Sequence, residues 1–264
     1  MVIGNGFDLH HGLRSSYADF REWLKYVHPM LYREFHLIYG KIVSKGEWWK
    51  DFEMNLGVLD FVRFYKRCHK EIPQSVWIEA RKYEPFRSGF PISISWHPAG
   101  NRLRSLYFML DVVMKEWIKD ISSMISVSRC IEMPPKSSSL FLTFNYTNLL
   151  EYLYKIPDNK ILHIHGSVDN GDEIIFGHNQ DPMLLEFQYE DIGQWKPSDE
   201  DIQEIEIEFS KKQKRPDEYI HRYSVFFQSL SQVQNVYIYG LSFSEVDMAY
   251  IQRIHNSAPQ ANWC

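Results

Sequence analysis

Apolar residues recur along this chain with two different periods. From Tyr17 to about His69 they return at helical spacing, and Phe20, Trp23, Leu24 and Val27 form one stripe. A second stripe runs through Leu103, Leu106, Leu110, Val113, Trp117, Ile121 and Met124, in steps of three and four that put all of them on one helix face. The Gly-, Pro- and Ser-rich "PFRSGFPISISWHPAGN" between these regions is expected to be loop. Further on the apolar runs become short. "SSSLFLTF" (Ser137 to Phe144), "ILHIHG" (Ile161 to Gly166), "EIIFG" (Glu173 to Gly177) and "NVYIYG" (Asn235 to Gly240) are predicted strands. They are apolar and β-branched or aromatic, as strands buried on two faces are. Helices are predicted over "TNLLEYLY" and over a long segment carrying the stripe Tyr219, Tyr223, Phe226, Leu230 and Val233. The charged "DEDIQEIEIEFSKKQKRPDE" before it is expected to be a solvated excursion.

Strands alternating with helices imply an α/β fold with a parallel sheet. We expect a Rossmann-like sheet flanked by helices, in a single domain spanning residues 1–264, with a large helical insertion over about 20–130 after the first strand. Such sheets bind ligands beyond the carboxyl ends of their strands. Gly4-Asn5-Gly6, Asn145, His165-Gly166, Gly177-His178 and Gly240-Leu241-Ser242 are therefore expected to converge. The first strand has almost no length before Gly4, and "PQANWC" reads like the start of a last strand, so both ends look clipped.

Composition narrows the function. With 264 residues and 44% hydrophobic content, a sizeable core is expected. A net charge of -5 argues against a general nucleic-acid coat. Cys68, Cys130 and Cys264 form no CxxC pair, and no secretory leader is read, so reduced thiols and a cytoplasmic location are expected. No apolar run approaches the roughly 18 residues that span a bilayer.

The candidate chemistry lies in the strand-end loops. Gly4 and Gly6 would let a phosphate approach backbone amides at a helix start. Leu9 stands where the dinucleotide fingerprint G-x-G-x-x-G needs its third glycine, so a tight turn capped by Asp8 is the alternative. Asn145 either caps the helix beginning near Thr147 or faces a ligand. His163 and His165 are two apart on a strand and are expected to share a face. No acid or thiol lies at useful spacing for a metal, and none is predicted. His163 reads as a satisfied core histidine, and His165, before glycine, as able to reach a pocket. Ser244 and Asp247 read as a capping box, leaving Ser242 to meet a phosphate or ribose. In "WWKDFEMNLG", Asp51 and Glu53 read as helix-start acids, with Glu53 the better functional candidate.

"IGNGFDLHHGLRSSYADF", "WWKDFE", "FLTFNYTNLLEYLY", "HIHG", "IIFGH" and "VYIYGLSFSEVDMAYIQRI", in that order, resemble the AbiH abortive-infection family of bacterial phage-defence proteins. That family is remotely similar to sirtuin-like NAD-binding domains. By position, Gly4 and Gly6 resemble the phosphate-cradling loop, Asn145 the catalytic asparagine, His165 the base, and Gly240 and Ser242 the loop touching adenosine ribose and phosphate. Asn5 stands where the sirtuin loop has alanine, and Thr147 replaces the aspartate of N-Y-D. The resemblance implies a defence protein with NAD as substrate or ligand, hydrolysed at the N-ribosyl bond. Asn145 and His165 would be catalytic, Gly4, Asn5, Gly6, Asp8, Gly240 and Ser242 would bind NAD, and Asp8 would meet a ribose hydroxyl. The helical insertion would mediate homo-oligomerisation or recruit a defence-system partner. The alternatives are a metal-dependent nuclease using Asp8, Asp51 or Glu53 with His165, and a non-enzymatic sensor of a nucleotide or phage protein.

Overall fold

A computed structural model describes residues 1–70, 98–125, 130–134, 137–180 and 199–264. The chain separates into two compact units, one formed by Met1–Phe20, Lys115–Phe176 and Lys214–Cys264, the other by Arg21–Met114 and Gly177–Gln213.

The first unit is built on parallel strands. β1 (Val2–Ile3), β2 (Phe141–Thr143), β3 (Ile161–His163) and β5 (Ile238–Tyr239) form a four-stranded sheet in the order β3-β2-β1-β5, and β4 (Asn235–Val236) pairs with β6 (Asn262–Trp263). All the pairings are parallel. β4 and β5 are consecutive pieces of one extended segment interrupted at Tyr237. The Tyr237 carbonyl accepts from Val2, while Ile238 and Val236 exchange backbone hydrogen bonds with Cys264. The segment thus touches β1 on one side and β6 on the other.

Register sorts the side chains by face. Val2 lies beside Leu142, and Leu142 beside Leu162. These three join Phe144, Ile164, Phe227, Tyr250 and Ile254 in one buried cluster, which includes residues of helices Ser224–Ser229 and Met248–Ser257. Ile3 and Phe141 point the other way and pack with Phe7, Leu13, Leu149, Leu150 and Tyr154, from helices Gly6–His10 and Leu149–Tyr154 and the turn after the first. The period-2 alternation of each strand therefore feeds a core on each side of the sheet.

The second unit is helical. Pro29–Tyr39 starts with proline, whose missing N–H belongs to the unbonded first turn, and stops at Gly40. Phe35, Trp48, Trp49 and Phe52 fill its centre, and the Trp49 and Phe52 rings stack at 5.3 Å. Each ring contributes roughly 2–3 kcal/mol by burial. The stripe from Leu103 to Ile121 lies buried along helix Pro98–Ser122.

Several expectations change. Pro98–Asn101, expected as loop, opens that long helix, while the rest of that stretch, 85–97, lies outside the described residues. Met124 falls beyond the helix end and is exposed. "EIIFG" forms no strand. The stripe from Tyr219 to Val233 is divided between helices Pro216–Arg222 and Ser224–Ser229 and a 3₁₀ turn at Leu230–Gln232. The charged excursion contains a regular helix, Asp199–Ser210, that buries Asp201, Ile205, Glu208 and Phe209.

Candidate functional site

Beyond the carboxyl ends of β1 and β2, Asn145 reaches back across the sheet. Its Nδ2 donates to the Gly4 carbonyl at 3.2 Å and to Asp8 Oδ1 at 2.7 Å. The Thr147 hydroxyl donates to Asp8 Oδ2 at 2.7 Å. Asp8 is buried, and burial pushes its carboxyl up to about 7, against the opposing effects of the Thr147 and Asn145 hydrogen bonds and the charge of His163. A carboxyl that titrates near neutrality, placed where parallel strands end, has the proton affinity of a general acid or base.

The glycines of the opening loop have a different geometry. Gly4 N–H donates to the Tyr239 carbonyl and Gly6 N–H to the Gly240 carbonyl, so both are engaged by backbone. A Cβ on Gly6 would lie 2.6 Å from Gly240 Cα, and one on Gly240 would lie 2.4 Å from the Phe7 nitrogen. These glycines permit two backbones to cross in contact. Asn5 is exposed at the rim, exchanging hydrogen bonds with Ser15. Ser242 is exposed in the loop after Gly240.

His165 packs against the rings on either side of Asn145. The chain turns after β3, with Gly166 N–H donating to the His163 carbonyl, and this turn separates the two histidines expected to share a face. His165 sits among Phe144, Tyr146 and Tyr250. Burial, and then the Lys214 charge, lower its pKa to about 3, so the ring is neutral. Its Nε2 is 3.5 Å from Asp247 Oδ1 without a hydrogen bond. That pair is not ionic, because Lys214 is the cation that meets Asp247, at 3.3 Å. Burial raises Asp247, but the charge of Lys214, the electrostatic effect of His165 and the hydrogen bonds from Ser244 and Lys214 together outweigh it and hold this carboxyl below its ordinary range. Ser244 donates to Asp247 Oδ2 at 2.9 Å.

His163, expected as a core histidine, faces the Asp8 cluster. Its Nδ1 is hydrogen-bonded with the Asn145 carbonyl at 3.1 Å and its Nε2 with Glu151 Oε1 at 2.8 Å. Thr147 reads in the sequence as a helix start, whereas Glu151, in the first turn of helix Leu149–Tyr154, is not singled out there. In the helical unit, Glu53 accepts from Gly177 N–H at 3.2 Å, whereas Asp51 is exposed. Among the described residues no group of three or more His, Cys, Asp or Glu is placed to hold a metal, and no helix is long and apolar enough to cross a membrane. A cavity of about 360 Å³ is lined by Ser122, Ser123, Ile125, Tyr152 and Leu153, none of them among the expected site residues.

The fold and site define a mixed α/β protein with a small parallel sheet, carrying a buried Asp–Asn–Thr cluster beyond its strand ends. The chain belongs to the family described as bacteriophage abortive infection AbiH, which matches residues 1–264, and that membership assigns it a role in abortive infection by phage. No curated protein and no solved structure matches it.

Proposed function

We propose that this chain is a nucleotide-consuming effector of abortive infection, with a Rossmann-like, sirtuin-like site that hydrolyses NAD or NADP at the N-ribosyl bond. The observation that carries this reading is the 2.7 Å contact between Asn145 Nδ2 and Asp8 Oδ1 beyond adjoining parallel strands. Ligands of such sheets lie in that region.

The N-ribosyl bond of NAD breaks with its electron pair going to the cationic nicotinamide ring, which leaves neutral. A water oxygen bonds to the sugar carbon, and its proton passes to a base. Asp8, at about 7, is suited to take that proton near neutral pH, whereas His165, at about 3, is a weak base. Asn145 acts as the positioning residue for Asp8. Depletion of NAD would halt an infected cell before phage release.

A second reading is a nucleotide or phage-protein sensor without turnover. It is favoured by the engagement of the Gly4 and Gly6 amides with backbone, which leaves neither presented to a phosphate.

The test is infection of a bacterial host carrying the unsubstituted protein or Asp8→Asn, with intracellular NAD and NADP measured through the infection. Purified protein is incubated in parallel with NAD and NADP. Falling dinucleotide with free nicotinamide, absent in Asp8→Asn, is expected. Protection of the host population with unchanged NAD and NADP sinks the hydrolase reading and leaves the sensor.

A further inference from the structure

The polar chain at Asp8 does not end at Asn145. His163 closes β3 and is buried, and each of its ring nitrogens faces an acceptor: the Asn145 carbonyl at Nδ1 and the Glu151 carboxylate at Nε2. A neutral imidazole carries one N–H, which would leave a lone pair against one of these oxygens. With a proton on each nitrogen, both contacts are donor to acceptor. This geometry suits an imidazolium, fixed from two directions. The next link runs through one residue, because the peptide that accepts from His163 carries the side chain that donates to Asp8.

We infer that His163, held by Glu151, is a positioning residue of the Asp8 site: its ring fixes the Asn145 main chain, and its positive charge biases the buried Asp8 carboxyl toward its ionised form. The proposal rests on the preceding functional reading only for what Asp8 does to a substrate. The charged and titratable groups acting on His163 are Glu151 from helix Leu149–Tyr154, Asp8 from helix Gly6–His10 and Asp172 from the turn beyond Gly166. Burial disfavours the charged ring, but the hydrogen bond and charge of Glu151 outweigh it, and the ring titrates above its ordinary value. Without this cation Asp8 would face burial with only two neutral donors, and would stay protonated further into the alkaline range.

The experiment is an NMR titration without nucleotide. Carboxyl ¹³C shifts follow Asp8 in the unsubstituted protein, in His163→Gln and in Glu151→Gln, and ¹⁵N shifts report the protonation of the His163 ring. The expected result is a doubly protonated ring at pH 7 and an Asp8 midpoint raised by about one pH unit in both variants. His10→Gln, on the exposed end of the first helix, is expected to leave it in place. An Asp8 midpoint unmoved in both variants overturns the inference, and so does a neutral His163 ring at pH 7. If His163→Gln does not fold, Glu151→Gln and the ring protonation state decide. Because no nucleotide is present, a failure of NAD turnover leaves this result intact, and an unmoved midpoint in a protein that hydrolyses NAD refutes this inference alone.

Discussion

Asn145 Nδ2 stands 2.7 Å from Asp8 Oδ1, although 137 positions separate them in the chain. The contact joins helix Gly6–His10, which follows β1, to the loop after β2, and it satisfies one side of a buried carboxyl. Asn145→Ala removes this donor and the one on the Gly4 carbonyl. The expected cost is about 1–3 kcal/mol, read by urea unfolding. Thr147→Ala leaves the Asn145 contact in place and should cost less. A loss below about 0.5 kcal/mol for Asn145→Ala would mean that solvent replaces the amide and that the cluster is open to water.

Asp8 also makes stability depend on pH. When folded it keeps its proton to about pH 7, while an unfolded aspartate releases it near the ordinary value of 3.8. Across that window the native state binds more protons, so this group's contribution falls as pH rises. The separation corresponds to on the order of 4 kcal/mol. The stability of the unsubstituted protein minus that of Asp8→Asn should therefore drop by several kcal/mol from pH 4 to pH 7 and then level off. A difference independent of pH would show that Asp8 titrates as an ordinary surface acid.

His165 acts in the opposite direction. Its folded pKa is lowered to about 3 from an ordinary 6.5, so the unfolded state binds the extra proton between these values. The contribution of this group is lost as pH falls from about 6.5 toward 3. In the intact protein the two trends oppose each other between pH 4 and 6.5. Each single variant should unmask the other residue: Asp8→Asn gains stability with rising pH there, and His165→Gln loses it. Urea unfolding at pH 4.5 and 6.5 checks both slopes, and equal slopes in the two variants would refute the pairing.

Gly240 and Gly171 separate packing from backbone strain. Both adopt positive φ, +67° and +76°, so alanine is strained at either. At Gly171 a Cβ meets nothing within 4 Å, and at Gly240 it meets the Phe7 nitrogen at 2.4 Å. Gly171→Ala should cost about 1–2 kcal/mol, and Gly240→Ala more than about 3 kcal/mol, since neither backbone can give way. Equal melting temperatures for the two variants would show that the crossing of Gly6 and Gly240 is loose.

The strand positions were largely legible because each short apolar run ends at a polar residue or glycine, and β1, β2, β3 and β5 all fall inside predicted runs. What periodicity could not show was where the chain turns. His163 and His165 share a face only if the strand continues, and it turns after His163. The donors to Asp8 come from 137 and 139 positions away, and no local pattern marks such a pairing. The glycine loop read as a cradle because glycine allows close approach, but a neighbouring backbone can be what approaches. The helix Asp199–Ser210 had a readable signal in Ile205 and Phe209, four apart, which the surrounding charge obscured.

That charge is partly internal. Glu208 is 1% exposed, accepts from Arg104 Nε at 2.6 Å and also meets Lys211 Nζ at 2.7 Å. Arg104 in turn donates to Glu204 at 2.9 Å, so one guanidinium spans two acids of the helix. Arg104→Met would leave a buried carboxylate with the half-exposed Lys211 as its remaining cation among these contacts. Removing one partner of a buried pair leaves its desolvation cost uncompensated, whereas replacing both by apolar groups does not. Arg104→Met should therefore cost about 2–4 kcal/mol, Lys211→Met under about 1 kcal/mol, and Arg104→Met with Glu208→Leu should recover most of the loss. Amide exchange across Asp199–Ser210 locates the effect. If Lys211→Met loosens that helix as much as Arg104→Met, the stabilising partner of Glu208 is the surface lysine, and the segment behaves as the solvated face its composition suggests.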